Sequence, residues 1–144
     1  MADTKERKLP APAVSAETQA YWDAAAKGKL LVRKCTSCGQ AHHYPRTLCP
    51  FCFSDKTEWI EASGKGTIYS YSIMYHAGDR RFAAAIPYAS IIVELDEAKG
   101  ALLAGNLLDV SYTEAKVGRR VEVVFQQLND DITLPQFRLA PEEA

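Results

Sequence analysis

Between Thr67 and His76 the side chains alternate with the period of an extended strand. Tyr69, Tyr71, Ile73 and Tyr75 share one face, and Ser70, Ser72, Met74 and His76 the other. This alternation predicts that the tyrosine face turns toward a core. A second strand at about Tyr88–Leu95 points Ala89, Ile91, Val93 and Leu95 inward, and Asp96–Gly100 reads as a hairpin loop into a third strand, Ala101–Leu107. Residues 109–118 are polar, with room for one helical turn. Val121, Val123 and Phe125 mark one face of a fourth strand. The turn Asn129-Asp130-Asp131 leads into a fifth, Ile132–Leu139, where Pro135 suggests an edge position or a bulge. Five short strands in about 75 residues suggest a small barrel. The OB-fold has that strand count, although count alone does not separate it from an SH3-like barrel.

Upstream the period changes. A short helix is expected with Ser15 as N-cap, Glu17 in the first turn and Gly28 as the stop, carrying Tyr21, Trp22 and Ala25 as its apolar stripe. So short a helix must dock on something to persist. Residues 1–14 carry mixed charges with Pro10 and Pro12 and read as a mobile arm, or one that orders on a partner. A cysteine-bearing segment follows the strand-like Leu30-Leu31-Val32 and runs to near Trp59-Ile60. Ser63-Gly64-Lys65-Gly66 then marks a boundary. The expected division is arm and helix at 1–28, cysteine module at 29–62 and barrel at 63–144, mainly β throughout.

Composition narrows the function classes. The chain has 144 residues, 47% hydrophobic and 24% charged, with a formal net charge of −1. That is globular, and it lacks the basic excess common in nucleic-acid binders. No apolar run approaches the roughly 18 residues that span a bilayer, and the start of the chain has no signal-peptide core. The cytoplasm is the expected location, where paired cysteines more often hold metal than form disulfides.

The four cysteines fall as Cys35-x2-Cys38-x10-Cys49-x2-Cys52. Two such knuckles each supply one edge of a tetrahedron of thiolates. Gly39 follows the first knuckle, where the turn wants a residue free to take positive φ, and Pro50 sits inside the second. A module this small needs a staple to fold. Zinc is the expected ion, with iron as the competitor a four-thiolate shell also suits. A closed shell leaves neither a free thiol nucleophile nor an open coordination position, so the metal is expected to be structural.

Other candidates are sparser. His42 and His43 lie in the ribbon loop beside an already complete shell. His76 ends the first barrel strand, with Asp79 near enough in sequence to orient it. Glu94, Asp96 and Glu97 read as a solvated turn. The long loop His76–Pro87 couples Arg80 and Arg81, suited to phosphate, to Phe82 and a run of small apolar residues. No P-loop, Rossmann fingerprint or nucleophile elbow occurs.

The order of these parts resembles a known family. Gly28-Lys29-Leu30 precedes Cys35-Thr36-Ser37-Cys38-Gly39, Tyr44-Pro45-Arg46 and Cys49-Pro50-Phe51-Cys52. Gly66-Thr67-Ile68-Tyr69-Ser70-Tyr71 and Asp131-Ile132-Thr133-Leu134-Pro135-Gln136-Phe137 follow. This is similar to the family that joins a rubredoxin-like zinc ribbon to an acyl-CoA-associated OB-fold. The resemblance implies a non-catalytic accessory subunit in a hetero-oligomer with a thiolase-like enzyme that makes or breaks C–C bonds in acyl-CoA. It also implies zinc on Cys35, Cys38, Cys49 and Cys52. Arg46, Arg80, Arg81 and Phe82 are candidates for contact with coenzyme A or the partner; neither nucleic acid nor membrane is expected as a partner. The competing reading is a single-strand nucleic-acid binder with Tyr69, Tyr71 and Tyr75 as stacking platforms. The alternation opposes it by assigning those rings to the core.

Overall fold

In the computed structural model the described residues are 9–143, so most of the expected arm at 1–14 lies outside them; residues 9–14 carry no helix or strand. Helix α1 spans Gln19–Ala26. It starts later than expected. Ser15 and Thr18 close a turn on each other, the Ser15 N–H donating to Thr18 Oγ1 at 3.0 Å, and Thr18 rather than Ser15 becomes the N-cap. Gly28 ends the helix as expected, at φ +74°, which lets the Lys29 N–H reach back to the Ala24 carbonyl at 2.9 Å. Tyr21, Trp22, Ala24 and Ala25 are buried.

The ribbon is a small antiparallel sheet in the order β2-β1-β3, with β1 at Leu30–Cys35, β2 at Ala41–His42 and β3 at Thr57–Ala62. In its middle strand Arg33 stands opposite His42 on one side and Trp59 on the other. The second sheet is antiparallel, in the order β6-β5-β4-β7-β8. Its strands are β4 Lys65–Met74, β5 Tyr88–Leu95, β6 Leu102–Asn106, β7 Arg120–Gln127 and β8 Thr133–Leu139. A single parallel bridge, Leu107 to Phe137, joins its two ends into a five-stranded barrel. The alternation read for β5 holds: Ala89, Ile91, Val93 and Leu95 are all buried.

The tyrosines of β4 depart from expectation. Tyr69, Tyr71 and Tyr75 are 58%, 38% and 68% exposed, and only Ile73 of that face packs against the core. The register with β5 jumps between Ile68 and Ser70, so Tyr69 is the extra residue of a bulge. The bulge lets Ile68 oppose Val93 and still sets Tyr71 opposite Ile91, on the core side. Pairing with β7 stops at Thr67, however, so the second half of β4 runs past its cover. Alternation reports the side a residue faces, not whether anything lies over it.

One hydrophobic core joins the two sheets. Tyr21, Trp22, Leu30, Val32, Ala41 and Ala62 belong to the same buried cluster as Ile68, Val93, Leu103 and Phe137. Expected solvated groups are also recruited: Asp96 accepts from the Arg120 guanidinium, and the Glu97 carboxylate accepts from the Ser63 N–H. No helix among the described residues is long and apolar enough to cross a membrane.

Where the single Leu107–Phe137 bridge is too short to seal the barrel, a side chain completes it. Gln136 is buried, and its Oε1 accepts from the Asn106 backbone N–H at 2.6 Å while its Nε2 donates to Asn106 Oδ1 at 3.2 Å. Gln136→Leu keeps the bulk but leaves that N–H without its acceptor. It should lower unfolding free energy in urea by about 1–3 kcal/mol with little change in m-value.

Candidate metal centre

The two knuckles repeat one backbone design. In the first, the Cys35 N–H donates to the Gln40 carbonyl at 2.9 Å and the Gly39 N–H to the Cys35 carbonyl at 3.0 Å. In the second, the Cys49 N–H donates to the Ser54 carbonyl and the Phe53 N–H to the Cys49 carbonyl, each at 2.9 Å. The residue after each second cysteine adopts positive φ: Gly39 at +78° and Phe53 at +62°. Glycine does this freely. Phenylalanine does it at a cost of about 1–2 kcal/mol, so the turn geometry prevails over local preference.

These turns bring all four sulfurs within 4.8 Å of one another, Cys35 to Cys52 at 3.6 Å and Cys38 to Cys49 at 3.7 Å. A tetrahedral ion with metal–sulfur bonds of about 2.3 Å requires sulfur separations of about 3.8 Å, so the donor set fits. Cys35 and Cys49 are buried, Cys38 and Cys52 exposed. Backbone donors already favour thiolate at the buried pair. The Cys38 N–H reaches Cys35 Sγ at 3.4 Å and is the main influence bringing that thiol down to about 6, against burial. At Cys49 burial pushes upward but is outweighed by the N–H groups of Cys52 and Phe51. Cys52 goes the other way: the Ser54 N–H favours its thiolate, yet burial and the thiols of Cys35, Cys38 and Cys49 push it up to about 12. Four neighbouring sulfurs cannot all ionise on their own. A divalent cation would remove that conflict.

The histidines are not surface residues of the loop. His42 is buried in β2 with neither ring nitrogen hydrogen-bonded, and burial first, then the charges of Arg33 and Arg46, lower its pKa against the opposing influence of the Arg46 backbone. His43 packs against the rings of Tyr21 and Tyr44, and burial, with His42 adding, takes it down to about 4. Neither belongs to the cysteine cluster. His76 does not gain an orienting carboxylate in Asp79. The Arg81 side chain donates to both Asp79 oxygens and holds that carboxyl down at about 2.

The candidate ligand contacts occupy separate surroundings. Arg80, Arg81 and Phe82 form a 3-10 turn, with the Phe82 ring 6.3 Å from that of Tyr88. Arg46 lines a cleft between α1 and the ribbon with Ala16, Glu17, Ala20, Arg33, Thr47 and Trp59, a cavity that includes none of the three. Arg33 and Trp59 were not singled out from the sequence. Their three-strand register with His42 is a tertiary fact, and the only local signal was their position on strands flanking the knuckles.

The family model for the ChsH2 rubredoxin-like zinc ribbon domain matches residues 22–58, and that for the ChsH2 C-terminal OB-fold domain matches residues 59–126. A probable enoyl-CoA hydratase alpha subunit of Thermomonospora curvata is 32% identical over 135 residues, 93% of this chain and 41% of that one. This chain therefore spans less than half the length of that relative. A DUF35 domain-containing scaffold protein of Methanocaldococcus jannaschii is 36% identical over 104 residues, 71% of each chain. Among solved structures, a chain of an Ltp2-ChsH2(DUF35) aldolase superposes with a TM-score of 0.76 at 29% identity, covering 90% of this chain and 98% of that one. A DUF35 protein of Sulfolobus solfataricus shares the fold, with a TM-score of 0.63 at 19% identity over 88% and 87% of the two chains.

The half-buried His43 gives this region a pH signature. Burial, with His42 adding, takes His43 in the folded chain down to about 4 from its ordinary value of 6.5. Below its unfolded pKa the unfolded state therefore binds more protons, and stability falls as pH drops from about 6.5 toward 4. Unfolding free energies measured across that window should slope upward with pH, and His43→Phe should flatten the slope relative to the parent chain.

Proposed function

Because the chain belongs to the ChsH2/DUF35 family, with a rubredoxin-like zinc ribbon and a C-terminal OB-fold, we propose that it is a non-catalytic scaffold subunit of a cytoplasmic, thiolase-type acyl-CoA-processing complex. The observation that carries this reading is the convergence of all four cysteines of the chain on one cluster. Every thiol able to accept an acyl group is a ligand, so the nucleophile must come from elsewhere. Zinc bound by Cys35, Cys38, Cys49 and Cys52 supplies a closed tetrahedral tie between the knuckles and no site for an activated water. The arm and helix at 1–28, the ribbon at 29–62 and the barrel at 63–144 act as the parts of this scaffold. Its likeness to a chain of the Ltp2-ChsH2(DUF35) aldolase supports an enzyme partner. Among the coenzyme A candidates Arg46 is favoured. Arg81 would first have to release Asp79, and Arg80 and Phe82 share its turn.

Co-expressed with its thiolase-type partner, the chain should co-purify with it, carry one zinc and raise its turnover, while showing no thiolase activity alone. Cys49→Ser should lose the zinc by mass spectrometry and the partner by gel filtration together. A partner fully active and equally stable without the chain would refute the scaffold role.

A second reading regains ground from the exposure of Tyr69, Tyr71 and Tyr75 on β4, because their expected burial was one of two objections to it, beside the missing basic stripe. The even charge balance still gives no cationic track for a phosphate backbone. Fluorescence anisotropy with a single-stranded oligonucleotide should show no salt-dependent binding at micromolar protein; such binding, lost in Tyr69→Ala, would favour this reading instead.

A further inference from the structure

Four arginines elsewhere in the fold are matched with carboxylates: Arg81 with Asp79, Arg119 with Glu114 and Glu143, Arg120 with Asp96, Arg138 with Glu122. Arg33 and Arg46 are not. Among the described residues neither has a carboxylate within ion-pairing distance, although both line one cleft of about 250 Å³ between α1 and the ribbon sheet. Like charges held together on a surface repel, and the two flank a buried histidine whose protonated form they further disfavour. Such a placement costs stability unless an anion joins it.

Arg33 is also pre-positioned. Its guanidinium carbon lies 4.6 Å from the centroid of the Trp59 ring, opposite it across the β1–β3 pair. Stacking occupies the face of the guanidinium and leaves its N–H edge for an acceptor in plane. Glu17 is the carboxylate lining the cleft, and its Oε1 accepts from the Thr47 hydroxyl at 2.7 Å. The cleft thus presents two guanidinium forks against one carboxylate already engaged. Past Arg46 and Thr47 it continues into a wider groove edged by Leu48 and Phe53, both exposed apolar side chains.

We propose that the cleft bounded by Arg33, Arg46 and Trp59 is a phosphate-binding subsite, which takes the phosphate end of a ligand whose apolar part extends toward Leu48 and Phe53. A tetrahedral dianion can accept from both forks at once, which a single planar carboxylate does less well. Assignment to the phosphates of an acyl-CoA in particular rests on the acyl-CoA reading above; assignment to phosphate does not.

The test uses the zinc-loaded full chain with pyrophosphate and coenzyme A as probes, followed by NMR at the Trp59 indole N–H. Pyrophosphate should shift that resonance saturably, and Arg33→Gln or Arg46→Gln should weaken binding by about tenfold or more. Arg33→Lys should recover part of the affinity, since it restores the charge without the fork. Arg138→Gln, away from the cleft, should leave it unchanged. Unaltered zinc content and methyl spectra would confirm that the variants fold. Coenzyme A competing with pyrophosphate identifies its phosphates as the source, whereas binding of pyrophosphate without such competition supports the site and removes the acyl-CoA assignment. No saturable shift with either probe at millimolar concentration, or binding undiminished in the double Gln variant, would overturn the proposal, and neither result bears on partner assembly.

Discussion

Ionised thiols repel, and four of them within 4.8 Å coexist only around a cation. That constraint explains features of the ribbon that otherwise look unfavourable. Phe53 accepts a left-handed backbone because the second knuckle must copy the first, whose Gly39 takes that conformation without strain. Leu48, Phe51 and Phe53 are left exposed, so the knuckles hold almost no apolar core of their own. A metal held by the four thiols would add to what stability the loop draws from the backbone bonds that shape each knuckle and from the sheet it closes.

That sheet links the metal centre to everything else. Cys35 is the last residue of β1, whose Leu30 and Val32 are buried in the shared core. Helix α1 covers the junction, packing on β1 and reaching β7 and β8. Tyr21 and Trp22 meet edge to face with ring centres 4.9 Å apart, and the Trp22 indole N–H donates to the Tyr44 hydroxyl at 3.1 Å. Burial, with the charge of Tyr44 adding, keeps the Tyr21 phenol protonated. Ribbon, helix and barrel therefore share one interior, and loss of the metal would loosen the helix that also caps the barrel strands.

Much of this was legible because it is local. The knuckle spacing, the turn glycines and the strict alternation of β5 each depend on neighbours in sequence. The exceptions all needed a third dimension. Ser15 and Thr18 are equally good caps on paper, and the turn they form together decides between them. The core-side placement of Tyr71 followed from its period, but its exposure depends on β7 ending its pairing at Thr67. Arg33, Trp59 and His42 are far apart in sequence and meet only because β1 lies between β2 and β3. Asp79 illustrates the opposite failure: the right neighbour in sequence, Arg81, claimed it before His76 could.

The unmatched groups are not scattered. In a fold that pairs most of its arginines and seals its barrel seam with a buried glutamine, two arginines without a carboxylate partner among the described residues, Arg33 and Arg46, sit together on the ribbon face beside α1. Leu48 and Phe53 continue the same groove. The ion pairs elsewhere make this pairing of unmatched arginines informative, since a chain that could satisfy Arg119 with two glutamates had the means to satisfy Arg33 with one. A four-cysteine cluster fit for a structural metal would hold rigid the surface on which uncompensated charge and exposed apolar side chains gather, an arrangement suited to presenting that surface to another molecule.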